Sequence, residues 1–273
     1  MKDRWKLMKE LTVTGWQVTH LSGFEKRKVE LIKQVDFKVS QGQVIGIVGE
    51  SGSGKSIFMK SLMGILSDDF EIRHKTLNVV PKGNLPKMAM VFQDAKKSLN
   101  PVITIEKQLT EIYFRFQKKD KEAARKAVIS VLKRVKITEP EKCLKQYPHE
   151  LSGGMCQRIM IAMSLLTDAE ILIADEPTTA LDNITQKQIL ELLNKLNQEG
   201  LTIILISHDL QVISWLCEEI YVMYQGEFVE QGSTERILSA PQNSYTKKLL
   251  ESIPKMALEK IKELVHSDAI RSE

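Results

Sequence analysis

Residues 49–56 read Gly49-Glu50-Ser51-Gly52-Ser53-Gly54-Lys55-Ser56 and fit the pattern GxxxxGK[ST]. Each residue type has a use there. Gly49, Gly52 and Gly54 let the backbone curl around phosphate oxygens without Cβ clashes. The loop N–H groups, followed by a helix N-terminus, attract an anion. Lys55 offers a point charge to the β- and γ-phosphates, and the Ser56 hydroxyl suits Mg²⁺. A second pair of residues fits the same chemistry. Asp175 and Glu176 close an apolar run, where ligands of open α/β sheets bind. Asp175 suits Mg²⁺, directly or through water, and Glu176 could polarise an attacking water. His208 also ends an apolar run. Taken alone it leaves two readings open, a partner for the γ-phosphate or water and a structural histidine.

These residues need elements to hold them. Apolar stretches at 43–48, 171–174 and 202–206 predict buried strands of a parallel sheet. Residues 57–66 predict the helix after the phosphate loop. Between the last two strands, 185–198 places Ile189, Leu190, Leu192, Leu193 and Leu196 on one helical stripe, and Gly200 ends it. Strand, helix, strand predicts a βαβ unit, so this part is α/β. Residues 99–147 differ: 105–116 and 122–135 carry helical periodicity, with Ala124, Val128, Val131, Leu132 and Val135 on one face, and no strand interrupts them. Weak alternation in the first 40 residues (Leu11, Val13, Val18, then Val35, Phe37, Val39) predicts antiparallel strands. The stretch beyond Pro254 reads as an amphipathic helix through Met256, Leu258, Ile261, Leu264 and Val265.

Composition limits the classes open to the chain. It has 273 residues, 42% of them hydrophobic and 27% charged, enough to bury a core and unlike a disordered segment. A net charge of +4 from 39 basic and 35 acidic residues is thinly spread. Runs such as Lys26-Arg27-Lys28 and Lys118-Lys119 read as solvated faces, and nucleic acid is not expected as a partner. Cys143, Cys156 and Cys217 are too scattered for a disulfide framework or a metal site, which fits a reducing, cytoplasmic setting. No apolar run reaches the ~18 residues of a membrane span, and the first residues do not resemble a signal peptide.

One further run brings the parts together. Leu151-Ser152-Gly153-Gly154-Met155-Cys156-Gln157-Arg158 resembles the LSGGQ signature of the ATP-binding cassette (ABC) ATPases. Ser152, Gly153 and Gly154 at a helix start offer hydroxyl and N–H donors to phosphate. The resemblance implies that they close over ATP held by a partner's phosphate loop. It also implies that Gln93 is the Q-loop residue touching Mg²⁺ or water, Asp175 the Mg²⁺ carboxylate and Glu176 the catalytic glutamate. Asp182 of Thr179-Ala180-Leu181-Asp182 then lies in the D-loop, and His208 becomes the switch histidine. The implied fold is a RecA-like core at about 10–98 and 158–254, with an N-terminal antiparallel β region. A helical subdomain is inserted at about 99–157, and a tail follows at 255–273, all within one domain.

Two departures stand out. The aromatic that stacks on adenine in this family is replaced in register by His20, with Trp16 and Phe24 as rivals. The stretch between Lys55 and Gln93 is short, with 78–84 expected to replace part of the antiparallel β region. Within the family, Phe92-Gln93-Asp94 through Ser98-Leu99-Asn100-Pro101, Tyr147-Pro148-His149 and Pro241-Gln242-Asn243-Ser244-Tyr245-Thr246 resemble the peptide/nickel importer ATPases. Met155 resembles the first of their two paired ATPases. With no cysteine after Cys217, the tail resembles the nickel branch slightly more than the peptide branch. The resemblance implies ATP and Mg²⁺ as ligands and a peripheral place on the cytoplasmic face of the membrane. It implies as partners two permease subunits, a second ATPase (a paralogue) and, indirectly, an extracytoplasmic binding protein. A soluble cassette acting on DNA or ribosomes, or an exporter ATPase, is the alternative.

Overall fold

The structure, a computed structural model, describes residues 8–22, 27–81, 84–117, 120–179 and 181–253. The expected tail helix, Phe24 and Ala180 lie outside them. In chain order the elements begin β1 (Glu10–Ser22), β2 (Arg27–Ser40), β3 (Val44–Val48), α1 (Lys55–Leu62), β4 (Phe70–Arg73) and β5 (Thr76–Val80). Then come β6 (Met88–Val91), α2 (Ala95–Ser98), α3 (Ile105–Phe116), α4 (Lys121–Arg134), α5 (Pro140–Lys145) and α6 (Gly153–Leu166). They end with β7 (Ile171–Asp175), α7 (Asn183–Gln198), β8 (Thr202–Ser207), α8 (Leu210–Leu216), β9 (Glu219–Tyr224), β10 (Glu227–Ser233), α9 (Thr234–Ser239) and α10 (Ser244–Glu251). The described residues fall into two compact units, one holding those of 8–85 and 202–253, the other those of 86–201.

The first unit carries the antiparallel region foreseen at the N-terminus. Strand β1 pairs with β2 on one side and with β4 and β5 on the other. The alternating residues Leu11, Val13, Val18, Val35, Phe37 and Val39 are all buried. The stretch 78–84, expected to replace part of this region, begins instead inside a strand of it, β5: Leu11 pairs with Val79 and Val13 with Leu77. In the same unit β10, β9, β3 and β8 lie side by side, β3 running parallel to both β8 and β9. Strand β3 is buried along its length. A Cβ on Gly46 would meet Ile213 of α8 at 2.6 Å, so this glycine allows the helix to seat on the strand. Phe37, Phe58, Tyr221 and Phe228 make one aromatic cluster, with ring centroids 5.0–6.2 Å apart. That cluster ties β2, α1 and the β9–β10 hairpin together.

The second unit pairs β6 with β7 in parallel and surrounds them with helices. Helix α3 spans the residues its periodicity predicts, and α7 buries Ile189, Leu190, Leu192, Leu193 and Leu196 as expected. The expected boundary between helical insert and core at residue 157 falls inside α6. That helix is buried along most of its length, including Cys156, Ile159, Ile161 and Leu165. It packs on α2, α3 and α4 and also on β6 and α7, so the insert shares one core with these elements. Arg158 reinforces it. Its guanidinium donates to the Val135 carbonyl at the end of α4 (2.9 Å) and to Gln188 Oε1 on α7 (2.9 Å). The three cysteines are free and buried. Burial pushes the Cys143 thiol up to about 11, which makes it unreactive.

Candidate functional site

The first unit positions the phosphate loop. Strand β3 ends at Val48 and α1 begins at Lys55. Gly49, Gly52 and Gly54 all adopt positive φ (154°, 82° and 109°), conformations that other residues reach only at a cost. A Cβ on Gly49 would lie 2.1 Å from the Met223 carbonyl oxygen, whereas one on Gly52 would face open space. The loop is thus packed on one side and open at its crest. Lys55 is buried to 6% exposure, its Nζ donating to the carbonyls of Gly49 and Glu50 (2.8 Å each). The cation is therefore held inside the loop. Ser51 and Gly52 are exposed, Ser53 is buried, and Ser56 is half-buried in the first turn of α1. In the parallel pairing of β3 with β8, Val48 lies opposite Ser207. His208 accordingly leaves its strand beside Gly49, exposed, at the carboxyl end of the sheet.

His20 lies in the same unit on β1. Its Nε2 is 2.8 Å from Asp69 Oδ2, and its ring leans on Phe70 with centroids 4.8 Å apart. The Ser67 side chain and then His20 hold the Asp69 carboxyl below the usual carboxylate range. Trp16, a rival for adenine stacking, is 4% exposed, donates from Nε1 to Ser61 Oγ at 2.8 Å and stacks on His74. It belongs to the packing of β1, and stacking on a nucleotide is closed to it.

The second unit gathers the carboxylates and the signature. Val91 lies opposite Ala174 in the β6–β7 pair. Phe92-Gln93 and Asp175-Glu176 therefore leave adjacent parallel strands at the same level. The result is direct contact: Glu176 Oε2 accepts from Gln93 Nε2 (3.0 Å) and from Thr179 Oγ1 (2.9 Å). Glu176 itself has φ of 48°, the left-handed region that side chains avoid unless the surroundings enforce it. Asp175 is buried at the end of β7. Ser152 caps α6, its oxygen accepting the Met155 N–H at 3.2 Å, with Ser152 and Gly153 exposed and Gly154 buried. A Cβ on Gly154 would meet the Thr185 methyl at 2.4 Å. Asp182 caps α7, accepting from the N–H groups of Ile184 and Thr185 and from the Thr185 hydroxyl (2.7 Å). Those Thr185 donors hold its carboxyl below the ordinary range. In the sequence Thr179 figures only as part of the D-loop run and Thr185 only as the start of a helix, with no role for either. Thr179 lies three positions beyond Glu176, the spacing of a tight turn, which is the one signal that pointed to it.

A glycine-lined phosphate loop between a parallel strand and a helix, with a glutamate ending another such strand and a signature-type helix cap, define a P-loop ATPase of the cassette type. A family model described as "ABC transporter" matches residues 32–179, and one described as "Oligopeptide/dipeptide transporter, C-terminal region" matches 229–270. The chain belongs to the ATP-binding subunits of the ABC transporters, in the importer branch that holds the oligopeptide and dipeptide transporters. It is 42% identical over 84% of its length to the dipeptide transport ATP-binding protein DppD of Bacillus subtilis, covering 73% of that protein. It is 41% identical over 83% of its length to the oligopeptide transport ATP-binding protein OppD of the same organism, covering 67% of it. Among solved structures, the ATP-binding cassette MJ0796, described as a dimer in a post-hydrolysis state bound to ADP and Pi, matches with TM-score 0.67 and 26% identity. That match covers 82% of this chain and 98% of the other. Membership of the importer branch removes both alternatives, the soluble DNA or ribosome ATPase and the exporter. No helix among the described residues is long and apolar enough to cross a membrane.

Proposed function

We propose that this chain energises the uptake of short peptides, hydrolysing ATP on the cytoplasmic face of the membrane beneath two permease subunits. The phosphates lie in the loop 49–56, with Lys55 countering their charge, and the adenine stacks on His20. Glu176 takes the proton of the attacking water. Gln93 and Thr179 fix the direction of its carboxylate, and His208 contacts the γ-phosphate. Among the described residues no cluster of His, Cys, Asp and Glu could hold a metal ion by itself. The oxygen donors present suit a hard cation bound chiefly through phosphates. Each unit brings its own oxygen donors that would suit Mg²⁺, Ser56 in one and Asp175 and Gln93 in the other, and the ion when bound supplies charge neutralisation on the phosphate oxygens. Ser152, Gly153, Gly154 and Asp182 serve the composite site formed with a second, paralogous ATPase. An extracytoplasmic binding protein delivers the substrate.

The observation that carries the peptide reading is the match of residues 229–270 to the oligopeptide/dipeptide transporter C-terminal region. The relatives point the same way, named for dipeptide, oligopeptide or glutathione transport. The nickel branch, towards which the cysteine-free tail leaned, has no such support. The test is ATP hydrolysis by the reconstituted transporter with its binding protein. Short peptides should stimulate phosphate release severalfold, and nickel chelates should leave it at the basal rate. Stimulation by a nickel chelate and none by peptides would overturn the substrate class.

A further inference from the structure

The phosphate loop is held from outside as well as by Lys55. The Glu50 N–H donates to Tyr245 Oη at 3.0 Å. The Ser53 carbonyl accepts the Gly226 N–H at 2.9 Å, and Gly49 presses against the Met223 carbonyl so closely that no Cβ fits. The Tyr245 ring leans on Tyr224 with centroids 4.2 Å apart. Three points of the loop therefore meet the β9–β10 turn and the start of α10. That start is itself fixed. Asn243 accepts the Tyr245 N–H at 2.8 Å, and the Glu230 carboxylate on β10 accepts the N–H groups of Gln242 (2.8 Å) and Asn243 (3.0 Å). The Gln242 and Asn243 N–H groups help hold the Glu230 carboxyl below the ordinary range against its burial. The Tyr245 hydroxyl is thus placed by backbone on both sides, and burial raises its own proton affinity, so it remains a neutral hydroxyl at physiological pH.

We propose that Tyr245 is a positioning residue for nucleotide binding. Its hydroxyl occupies the amide at the entry of the phosphate loop and so pre-forms the cradle. The donors that face phosphates are the N–H groups nearer the helix. The Glu50 amide, at the second position of the motif, is free to serve as an anchor. A loop already ordered loses less freedom when ligand binds, and that saving appears as affinity. On this basis the family-specific C-terminal region, which includes Tyr245, reaches the nucleotide through one hydroxyl. The inference rests on the ATP-site reading above.

The test measures the affinity of the full chain for trinitrophenyl-ATP together with the unfolding midpoint of the nucleotide-free protein. Tyr245→Phe deletes the hydroxyl and keeps the ring against Tyr224. Tyr224→Phe is the control, since its hydroxyl bonds Gln225 (3.1 Å) and not the loop. Tyr245→Phe should raise Kd about 3- to 10-fold with the midpoint within about 1 °C of wild type, while Tyr224→Phe binds as wild type. Wild-type affinity in Tyr245→Phe overturns the proposal. So does an equal loss in Tyr224→Phe, or a loss accompanied by a midpoint lower by several degrees, since either is the mark of general destabilisation. Lys55→Ala separates the two levels. If it binds as tightly as wild type, the nucleotide site itself is misassigned; if it alone loses affinity, only the role of Tyr245 fails.

Discussion

Glu176 is held in a backbone conformation that side chains avoid, with one carboxylate oxygen fixed by two donors from different segments. A general base works only if its carboxylate points at the water, and hydrogen bonds to a charged group are the strong ones. Thr179→Ala should therefore lower kcat roughly 3- to 30-fold with KM for ATP unchanged. Thr179→Ser, which keeps the hydroxyl, should restore most of it. Steady-state kinetics of the assembled transporter distinguishes these; equal losses in Ala and Ser would place the threonine's effect in its methyl and its packing. At this scale the sequence was most legible where a residue type has one physical use. The glycines of the phosphate loop take the positive φ values their type permits. Thr179 was not legible, because a threonine in a turn after a strand has many uses, and only the hydrogen bond selects one.

Elements deliver these residues by register. Parallel pairing puts Val48 opposite Ser207 and Val91 opposite Ala174, so the chemistry collects at strand ends as open sheets require. The signature helix shows the same logic in its contacts. Gly154 looks from sequence like a donor to phosphate; in the structure it is also where α6 touches Thr185, which Asp182 fixes from the cap of α7. Alanine at a helical glycine ordinarily stabilises by about 0.5–1 kcal/mol. Gly154→Ala should instead destabilise by about 1–3 kcal/mol through overpacking. Adding Thr185→Ser, which removes the methyl and keeps the hydroxyl for Asp182, should recover most of the loss. Denaturant unfolding measures both. A stabilised Gly154→Ala would show that the contact yields without cost. Helices α3 and α7 were legible because one face is apolar at helical spacing, and β3, β7 and β8 because they are short buried runs. Strands β4, β5 and β10 were not: none contains a buried residue, so no continuous apolar run marks them.

At the scale of the molecule, membership of the ABC transporter ATP-binding subunits makes coupling to membrane partners the natural reading of the chain's ATPase chemistry. Its two compact units divide the residues proposed for the chemistry. One carries the phosphate loop and His208, the other carries Gln93, Glu176, the signature and Asp182. The peptide-stimulated ATPase assay belongs at this scale, because only the assembled transporter couples substrate to hydrolysis. The sparse cysteines bore little on substrate, since a missing feature at the tail discriminates less than a matched C-terminal region. The central claim is that this chain hydrolyses ATP with Glu176 as the base. It is tested most directly by measuring bound ATP and released phosphate in one sample of the assembled transporter. Wild type should release phosphate, whereas Glu176→Gln, with the proposed partner ATPase's own glutamate likewise replaced, should bind ATP with near wild-type affinity and release phosphate at least ~100-fold more slowly, accumulating in the ATP-bound state. Wild-type phosphate release from Glu176→Gln, with the partner ATPase's own glutamate likewise replaced, would contradict it.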